Sequence, residues 1–175
     1  MTYPELQIQL DLNSDNQVNI LENVDTCQWT DDGYLFADQK DGQCYLFDRN
    51  GYLNDISKVK IIRNGAFYGC TPLTSISIPN SVKRIENRAF AFCLSLTSIE
   101  ILDSVESIGN WVFYDCISLK SIKIYDSVKY IGYEVFEYCK SLKEVVFKGK
   151  TMKQIKAMDN YPWGIKDKSV IKVEK

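Results

Sequence analysis

The sequence predicts an α/β repeat solenoid, and three observations support that fold class. First, a segment of 23 residues occurs four times in succession, starting at Ile62, Ile85, Ile108 and Ile131, with no insertion or deletion between the copies. Second, each copy combines a strand-like spacing of apolar residues with a helix-like spacing. Third, the stretches before and after the copies do not follow the period. A fixed period in the twenties is typical of a solenoid, in which each coil buries its apolar residues against the next.

The N-terminal stretch, residues 1–60, is predicted to be a β-hairpin-rich cap. Runs of alternating apolar residues at 7–13 and 18–21 flank the polar turn sequence Ser-Asp-Asn-Gln, which favours a first hairpin. Two Tyr-Leu-Phe runs, at 34–36 and 45–47, flank an Asp-Gln-Lys-Asp-Gly segment, which favours a second. A cap is expected at this end because a terminal coil would otherwise expose its core.

The four copies, residues 61–151, are each predicted to hold one strand and one short helical turn. The Leu-x-x-Ile-x-Ile part ends in the alternation of a strand with one buried face. The preceding part has apolar residues at offsets 0, 4, 5, 8 and 11, which suit a short helical turn. The strands should then form a parallel sheet along one side of the stack. The repeated core columns are Phe67, Phe90, Phe113, Phe136; Cys70, Cys93, Cys116, Cys139; and Leu73, Leu96, Leu119, Leu142.

The C-terminal stretch, residues 152–175, is predicted to be a helix-plus-strand cap. Thr151 and Gln154 have the spacing of a capping box, which indicates that a short helix begins there. Met152, Ile155 and Met158 would share one side of that helix. Residues 160–164 suggest a turn with a buried aromatic residue, and residues 169–173 a last strand.

The repeated residues resemble the BspA-like (Treponema pallidum-type) leucine-rich repeat, whose pattern is close to I-x-x-x-A-F-x-x-C-x-S-L-x-x-I-x-I-P-x-S-V. The resemblance covers residues 62–151 column by column. It departs at Val112 and Val135, which replace alanine, and at Leu102 and Tyr125, which replace proline. It implies a leucine-rich-repeat stack, a binding role without catalysis, and relatives that are mainly secreted or on cell surfaces.

The charge is unevenly distributed along the chain. Residues 1–60 carry 11 acidic and 4 basic residues, a net charge of −7, and residues 61–175 carry 12 acidic and 17 basic residues, a net charge of +5. The basic part could attract a protein with an acidic surface, or it could be an ordinary solvated surface. No apolar run of about 18 residues is present, so no membrane span is expected. The N-terminus lacks a signal-peptide pattern, which favours a cytoplasmic or virion-associated protein over a secreted one.

The six cysteines are interpreted mainly as core residues. Stacked coils lie one strand spacing apart, so the outermost members of the cysteine column should be about 14 Å apart. A single zinc ion holds its sulfur ligands at about 2.3 Å, which excludes one shared zinc site. We therefore expect small, buried, free thiols. Cys27 and Cys44 lie outside the column and could pair with each other.

Catalysis and cofactor binding have little support in the sequence. The chain contains no histidine, which excludes Ser-His-Asp and Cys-His mechanisms, and it has no glycine-rich phosphate-binding motif. We expect neither an enzyme nor a cofactor, and neither a nucleic acid nor a small-molecule substrate as partner. One weak calcium-loop candidate comprises Asp11, Asn13, Asp15 and Glu22, but Asp and Asn are also common in a tight hairpin, the favoured interpretation.

Five residues on the predicted sheet face are the candidate partner-binding site: Lys120, Lys123, Tyr125, Lys143 and Lys148. Tyr125 would be the aromatic anchor, and the lysines would steer acidic groups. The alternative is a plain solvated face. A second candidate surface has Tyr68, Phe92, Tyr114 and Tyr138 beside the cysteine column, with Trp111 nearby, and packing of these rings over neighbouring coils is favoured over exposure.

Two functional hypotheses follow. The first is a non-catalytic protein–protein interaction module, encoded by a phage or a bacterium, that acts as an inhibitor or adaptor of a host protein. The second is a structural or adhesive surface or virion protein that recognises carbohydrate or matrix protein.

Overall fold

The structure is a computed structural model that describes residues 60–71, 73–78 and 80–175 and, within the first 59 residues, the backbone of three strands. The first predicted hairpin, the calcium-loop candidate at Asp11–Glu22 and the pairing of Cys27 with Cys44 lie outside the described residues. The division of the chain at residues 60 and 151 stays a prediction.

The three N-terminal strands form an antiparallel sheet. β1 (Phe36–Lys40) pairs with β2 (Gln43–Asp48), which pairs with β3 (Gly51–Tyr52). Lys40 is opposite Gln43, so two residues, an Asp-Gly pair, connect β1 to β2. Asp-Gly is a favoured sequence for such a short connection. The second predicted hairpin is confirmed, and β3 extends it.

The repeats form two parallel sheets rather than one. A five-stranded sheet has the order β12-β11-β9-β7-β5, and a four-stranded sheet of very short strands has the order β10-β8-β6-β4. The first comprises β5 (Ser75–Ser77), β7 (Ser98–Ile101), β9 (Ser121–Ile124), β11 (Glu144–Lys148) and β12 (Ile171–Glu174). The second comprises β4 (Ile61–Ile62), β6 (Arg84–Ile85), β8 (Ser107–Ile108) and β10 (Tyr130–Ile131). Equivalent residues of successive copies are directly opposite, as in Ile99 with Ile122.

The prediction of a short helical turn in each coil is wrong. In the four described copies, this part of the coil is a two-residue strand followed by turns. The physical reason is a pair of left-handed residues in every coil, because positive φ interrupts a right-handed helix. The first set is Gly65, Arg88, Trp111 and Glu134, with φ between 48° and 63°, and the second is Gly69, Phe92, Asp115 and Tyr138, with φ between 55° and 69°. The apolar residues are buried as predicted, although the backbone is not helical.

The core is a stack of aligned columns. The phenylalanine rings are nearly parallel, with centroids 4.8, 5.6 and 5.8 Å apart from Phe67 to Phe136. The same backbone hydrogen bond recurs between successive coils, as where the Phe90 N–H donates to the Val112 carbonyl, one residue before Phe113, at 2.9 Å. Each coil therefore satisfies the backbone of its neighbour and buries the same side chains, as the 23-residue period predicts.

The C-terminal cap copies the contacts of another coil. Helix α1 (Met152–Lys156) begins with the predicted capping box at Thr151 and buries Ile155 completely. Trp163 is the predicted aromatic plug: it is fully buried, and its backbone carbonyl accepts from the Phe136 N–H at 2.9 Å. The Asn160 side chain donates to the Ile131 carbonyl at 3.2 Å, in place of the backbone N–H that a following coil would supply. A short 3₁₀ helix (Lys168–Val170) then leads into β12.

Candidate functional site

The outward face of the five-stranded sheet consists of the side chains that alternate with the buried core residues. In β9 the buried residues are Ile122 and Ile124, and Lys123 between them is exposed. β7 follows the same alternation with Ile99, Ile101 and the exposed Glu100. β11 differs, because Val146 is 3% exposed although its position belongs to the outward set.

A shallow depression of about 400 Å³ crosses this face. Small hydroxyl side chains from three successive strands line it: Ser75, Ser98 and Ser121. Glu100, Lys123 and Val146 lie along the same depression. It crosses four strands, and three strand spacings correspond to about 14 Å.

Three of the five predicted binding residues are exposed and uncompensated. Lys120, Lys123 and Lys143 have exposed side chains, and within the described part of the chain none of them takes part in a side-chain hydrogen bond or an ion pair. Lys120 and Lys143 occupy the same position of successive coils, and the Lys143 N–H donates to the Lys120 carbonyl at 2.9 Å. Their ammonium groups are therefore free to meet an acidic partner.

The other two predicted residues already have partners within the chain. The Tyr125 hydroxyl donates to Glu100 at 2.8 Å, and this hydrogen bond to a carboxylate raises the pKa of Tyr125 above its ordinary value. The Lys148 ammonium lies 5.5 Å from the centre of the Tyr125 ring and 3.8 Å from the Glu174 carboxylate. The structure thus brings Tyr125 and Lys148 together, but in a network that includes Glu100 and Glu174.

The second predicted surface is an aromatic strip formed by Tyr68, Phe92, Tyr114 and Tyr138. Successive ring centroids are 5.2, 5.6 and 5.3 Å apart, so every ring contacts the next coil, as predicted. The two terminal rings are the most exposed, Tyr68 at 56% and Tyr138 at 46%. The strip alternates between two adjacent columns, since Phe92 and Tyr138 occupy the left-handed position and Tyr68 and Tyr114 the residue before it.

Trp111 belongs to a cluster that the sequence analysis missed. The Arg88 guanidinium lies 4.9 Å from the centre of the Trp111 ring, and the indole N–H donates to Glu134 at 3.1 Å. Tyr133 contacts the same ring edge-on at 6.2 Å. Arg88, Trp111 and Glu134 occupy one position of three successive coils, and the repeat alignment could have revealed this neighbourhood. The contacts of this cluster are made through the Trp111 ring, and within the described residues neither Arg88 nor Glu134 forms an ion pair.

The cysteine column is mainly structural, as predicted. The thiols of Cys93, Cys116 and Cys139 are free and donate to the phenylalanine carbonyls of the preceding coil at 3.0–3.1 Å. Burial raises the pKa of Cys116 to about 12 and also raises the pKa values of Cys93 and Cys139, so these thiols stay protonated at neutral pH.

The expectation of four free thiols fails at Cys70, which is disulfide-bonded. Its bonding partner lies outside the residues whose side chains are described. Cys70 belongs to the first of the four copies. The cysteine column therefore continues from it in one direction only, towards Cys93.

Two further structural findings bear on function. Within the described residues, no group of three or more Cys, Asp or Glu side chains is arranged to hold a metal ion. Across the same part of the chain, no helix combines the length and the apolar character that crossing a membrane requires.

Comparison with protein families decides what kind of repeat this is. The profile described as the BspA type leucine-rich repeat region matches residues 45–159, more than half of the chain, with six copies. The chain belongs to the BspA-type leucine-rich repeat family. The resemblance stated from the sequence is therefore confirmed, and the matched range extends beyond residues 62–151 at both ends. Repeats of this family are typical of protein–protein interaction or surface adhesion and are typically non-catalytic.

A solved structure of a leucine-rich repeat protein shares the fold, and two further solved structures match this chain. A leucine-rich repeat protein from Bacteroides ovatus is 36% identical, with a TM-score of 0.56 over 66% of this chain, and this chain spans 28% of that protein. The T. pallidum leucine-rich repeat protein is 24% identical, with a TM-score of 0.47 over 68% of this chain and 71% of its own. A leucine-rich cell surface protein from Faecalibacterium prausnitzii is 25% identical, with a TM-score of 0.45 over 71% of this chain and 42% of its own. No curated protein matches the chain.

Proposed function

We propose that this protein is a protein-interaction module that binds an acidic protein surface through the outward face of the five-stranded sheet. The observation that carries the proposal is the set of three exposed lysines, Lys120, Lys123 and Lys143, that have no ion-pair partner within the described residues. Most of the other outward residues are small or already paired. Glu144 is also exposed on this face, and Glu100 is directly opposite Lys123, so the three lysines leave an excess of one positive charge over these two carboxylates. An excess of charge of one sign on an extended face attracts a partner of the opposite sign.

The lysines and the apolar residues of the face would contribute differently. An exposed ion pair contributes about 0–1 kcal/mol, so the lysines serve mainly association rate and partner choice. Leu102 lines the depression, is partly exposed and supplies apolar area that a partner could bury. Tyr125, held by Glu100 and Lys148, is a preorganised anchor next to it. Binding without catalysis fits an adaptor or an inhibitor of another protein.

Charge reversal tests the proposed face. Affinity capture from bacterial lysate would compare the native chain with Lys120→Glu/Lys123→Glu and with a control pair, Lys153→Glu/Lys156→Glu, which reverses two exposed lysines of α1. We expect the face variant to lose a captured protein, with affinity at least about tenfold weaker, and the control to retain it. Equal binding by all three chains would remove the lysine face from consideration.

Surface adhesion is the second candidate, and the aromatic strip is the observation that favours it. The exposed rings of Tyr68 and Tyr138 combine apolar faces with polar edges, which suits the apolar faces of sugar rings and protein surfaces. In an adhesion assay on polysaccharide or matrix protein, Tyr68→Ala/Tyr138→Ala should reduce binding while Lys120→Glu/Lys123→Glu does not. The opposite result would favour the lysine face.

A further inference from the structure

Two lysine ammonium groups converge on one backbone oxygen beyond the ends of β9 and β11. The Lys129 Nζ donates to the Asp126 carbonyl at 3.1 Å, and the Lys150 Nζ donates to the same oxygen at 2.7 Å. Both nitrogens contact one atom and therefore lie within about 6 Å of each other, a separation that a single oxyanion can bridge. Like charges at this distance repel unless a counter-charge joins them.

Lys150 differs in residue type from the other members of its column in the repeat. The equivalent residues of the preceding copies are Ser81, Ser104 and Ser127, and their hydroxyl oxygens are buried with no hydrogen-bond partner among the described residues. In the fourth copy a long cationic side chain replaces the short hydroxyl and contacts the carbonyl of the preceding coil. Gly149 makes this approach feasible, because an added Cβ would lie 3.0 Å from the Asp126 Cβ.

The charges around the pair do not balance. The Asp126 carboxylate acts electrostatically on Lys150, but within the described structure it forms no ion pair with either lysine. Glu106, one coil away from Lys129 in the same column, pairs with Lys83 at 3.7 Å. Two ammonium groups and one carboxylate leave one net positive charge. Partial burial lowers the pKa of Lys150, and Lys129 lowers it further, whereas Asp126 raises it.

We propose that Lys129 and Lys150 form an oxyanion-binding site where the third and fourth coils meet. Each ammonium has three N–H donors and uses one on Asp126, so both retain donors for a carboxylate, phosphate or sulfate oxygen. The ligand could be a free anion or an acidic group on a partner, and the shared chemistry is an oxyanion that accepts from both nitrogens. The site does not use Lys120, Lys123 or Lys143, so it does not depend on the proposed function.

The test follows the lysine side chains individually by NMR. The protein would be produced with ¹³C-labelled lysine, and the Cε–Hε signals would be recorded during titration with phosphate, sulfate or acetate, with chloride at matched ionic strength as reference. We expect the signals of Lys129 and Lys150 to shift saturably with an oxyanion. Lys153 and Lys156, exposed on α1, should follow ionic strength alone.

Variants separate a bridged anion from general screening. Lys129→Met should weaken phosphate binding at the Lys150 signal by about tenfold, because one charge-assisted donor is lost. Lys129→Arg keeps the charge and should retain most of the binding. Saturation with acetate as well as phosphate would indicate a site open to the carboxylates of a partner, and saturation with phosphate and sulfate alone a site for tetrahedral anions. The proposal is overturned if Lys129 and Lys150 shift no more than Lys153 and Lys156, or if Lys129→Met binds phosphate as tightly as the native chain.

Discussion

The outward face of the five-stranded sheet and the turn side of the coils use their polar groups in opposite ways. On the turn side, Arg88, Trp111, Tyr133 and Glu134 contact one another, and the asparagine side chains cap the next coil, as where Asn110 Oδ1 accepts from the Tyr133 N–H at 2.8 Å. On the sheet face, three lysines have no partner within the described residues. The turn side therefore uses these polar groups within the stack, whereas the three lysines of the sheet face are not used in this way.

The largest expected effect tests the core that both sides share. Phe113→Ala removes a fully buried ring from the centre of the phenylalanine column and should lower the free energy of unfolding by about 3–5 kcal/mol. Urea unfolding followed by circular dichroism measures the loss. Ser98→Ala on the exposed sheet face is the matched control, expected within about 0.5 kcal/mol. A Phe113→Ala loss as small as the control would contradict a stacked aromatic core.

A glycine on the turn side should be the next most sensitive position. A Cβ at Gly132 would lie 2.5 Å from the Asn110 Oδ1 and 2.5 Å from the Gly109 carbonyl carbon, so Gly132→Ala forces neighbouring coils apart. We expect about 1–3 kcal/mol of destabilisation in thermal unfolding.

Gly69→Ala is the contrasting variant, because no atom of the described residues beyond its chain neighbours lies within 4 Å of an added Cβ at Gly69, whereas its φ of 69° opposes a side chain. Its cost should be about 1 kcal/mol. If Gly132→Ala costs less than Gly69→Ala, close contact between coils is not what requires glycine at 132.

The buried thiols predict how stability depends on alkaline pH. Burial raises the pKa of Cys116 from 9.0 to about 12, so the folded chain keeps a proton that the unfolded chain releases above pH 9. The contribution of the thiol is fully present below that pH and is lost as the pH rises towards 12, with a slope of up to about 1.4 kcal/mol per pH unit.

Cys116→Ala should make the decline in unfolding free energy between pH 9 and 10.5 less steep, and the part due to Cys93 and Cys139, whose pKa values are also raised by burial, should remain. Chemical unfolding at fixed ionic strength in the presence of a reductant measures both slopes. An unchanged slope would mean that Cys116 does not stay protonated in the folded state.

The smallest effect on stability belongs to the sheet face. Lys120→Glu/Lys123→Glu replaces exposed charges that have no described partner, so the melting temperature should stay within about 2–3 °C of the native value. Differential scanning calorimetry checks this result. The same variant should lose binding, which would separate function from stability. A fall of ten degrees or more would show that these lysines support the fold and would remove the contrast between the two sides.

The sequence predicted the parts of this molecule that depend on period. The strands β5, β7, β9 and β11 and the buried columns follow from apolar spacing, because equivalent residues of similar coils meet equivalent neighbours. The backbone of the turn side could not be predicted in the same way. Glycine marks both left-handed positions in the first copy alone, at Gly65 and Gly69, whereas Arg88, Trp111 and Tyr138 adopt that conformation without the residue that signals it.

The candidate site shows a different limit of sequence reasoning. The positions of Lys123 and Lys148 on the face follow from alternation, but the partner of each does not. Lys148 contacts Glu174 only because β12, which is not a copy of the repeat, adds a strand beside β11. Lys150 lies near the end of the fourth copy, and its approach to Asp126 depends on how the chain turns at Gly149.

The way in which residues 160–163 close the stack has a consequence for the size of the outward face of the five-stranded sheet. Asn160 and Trp163 present to the fourth coil the same donor and acceptor positions that another coil would present. These closing contacts therefore depend on the backbone geometry of the last coil and not on the number of coils before it. A duplicated 23-residue copy placed ahead of Ile131 would meet the same closing contacts and widen the face by one strand spacing, about 4.8 Å. The number of coils therefore sets the width of this face, and an added coil requires no change in the closing segment.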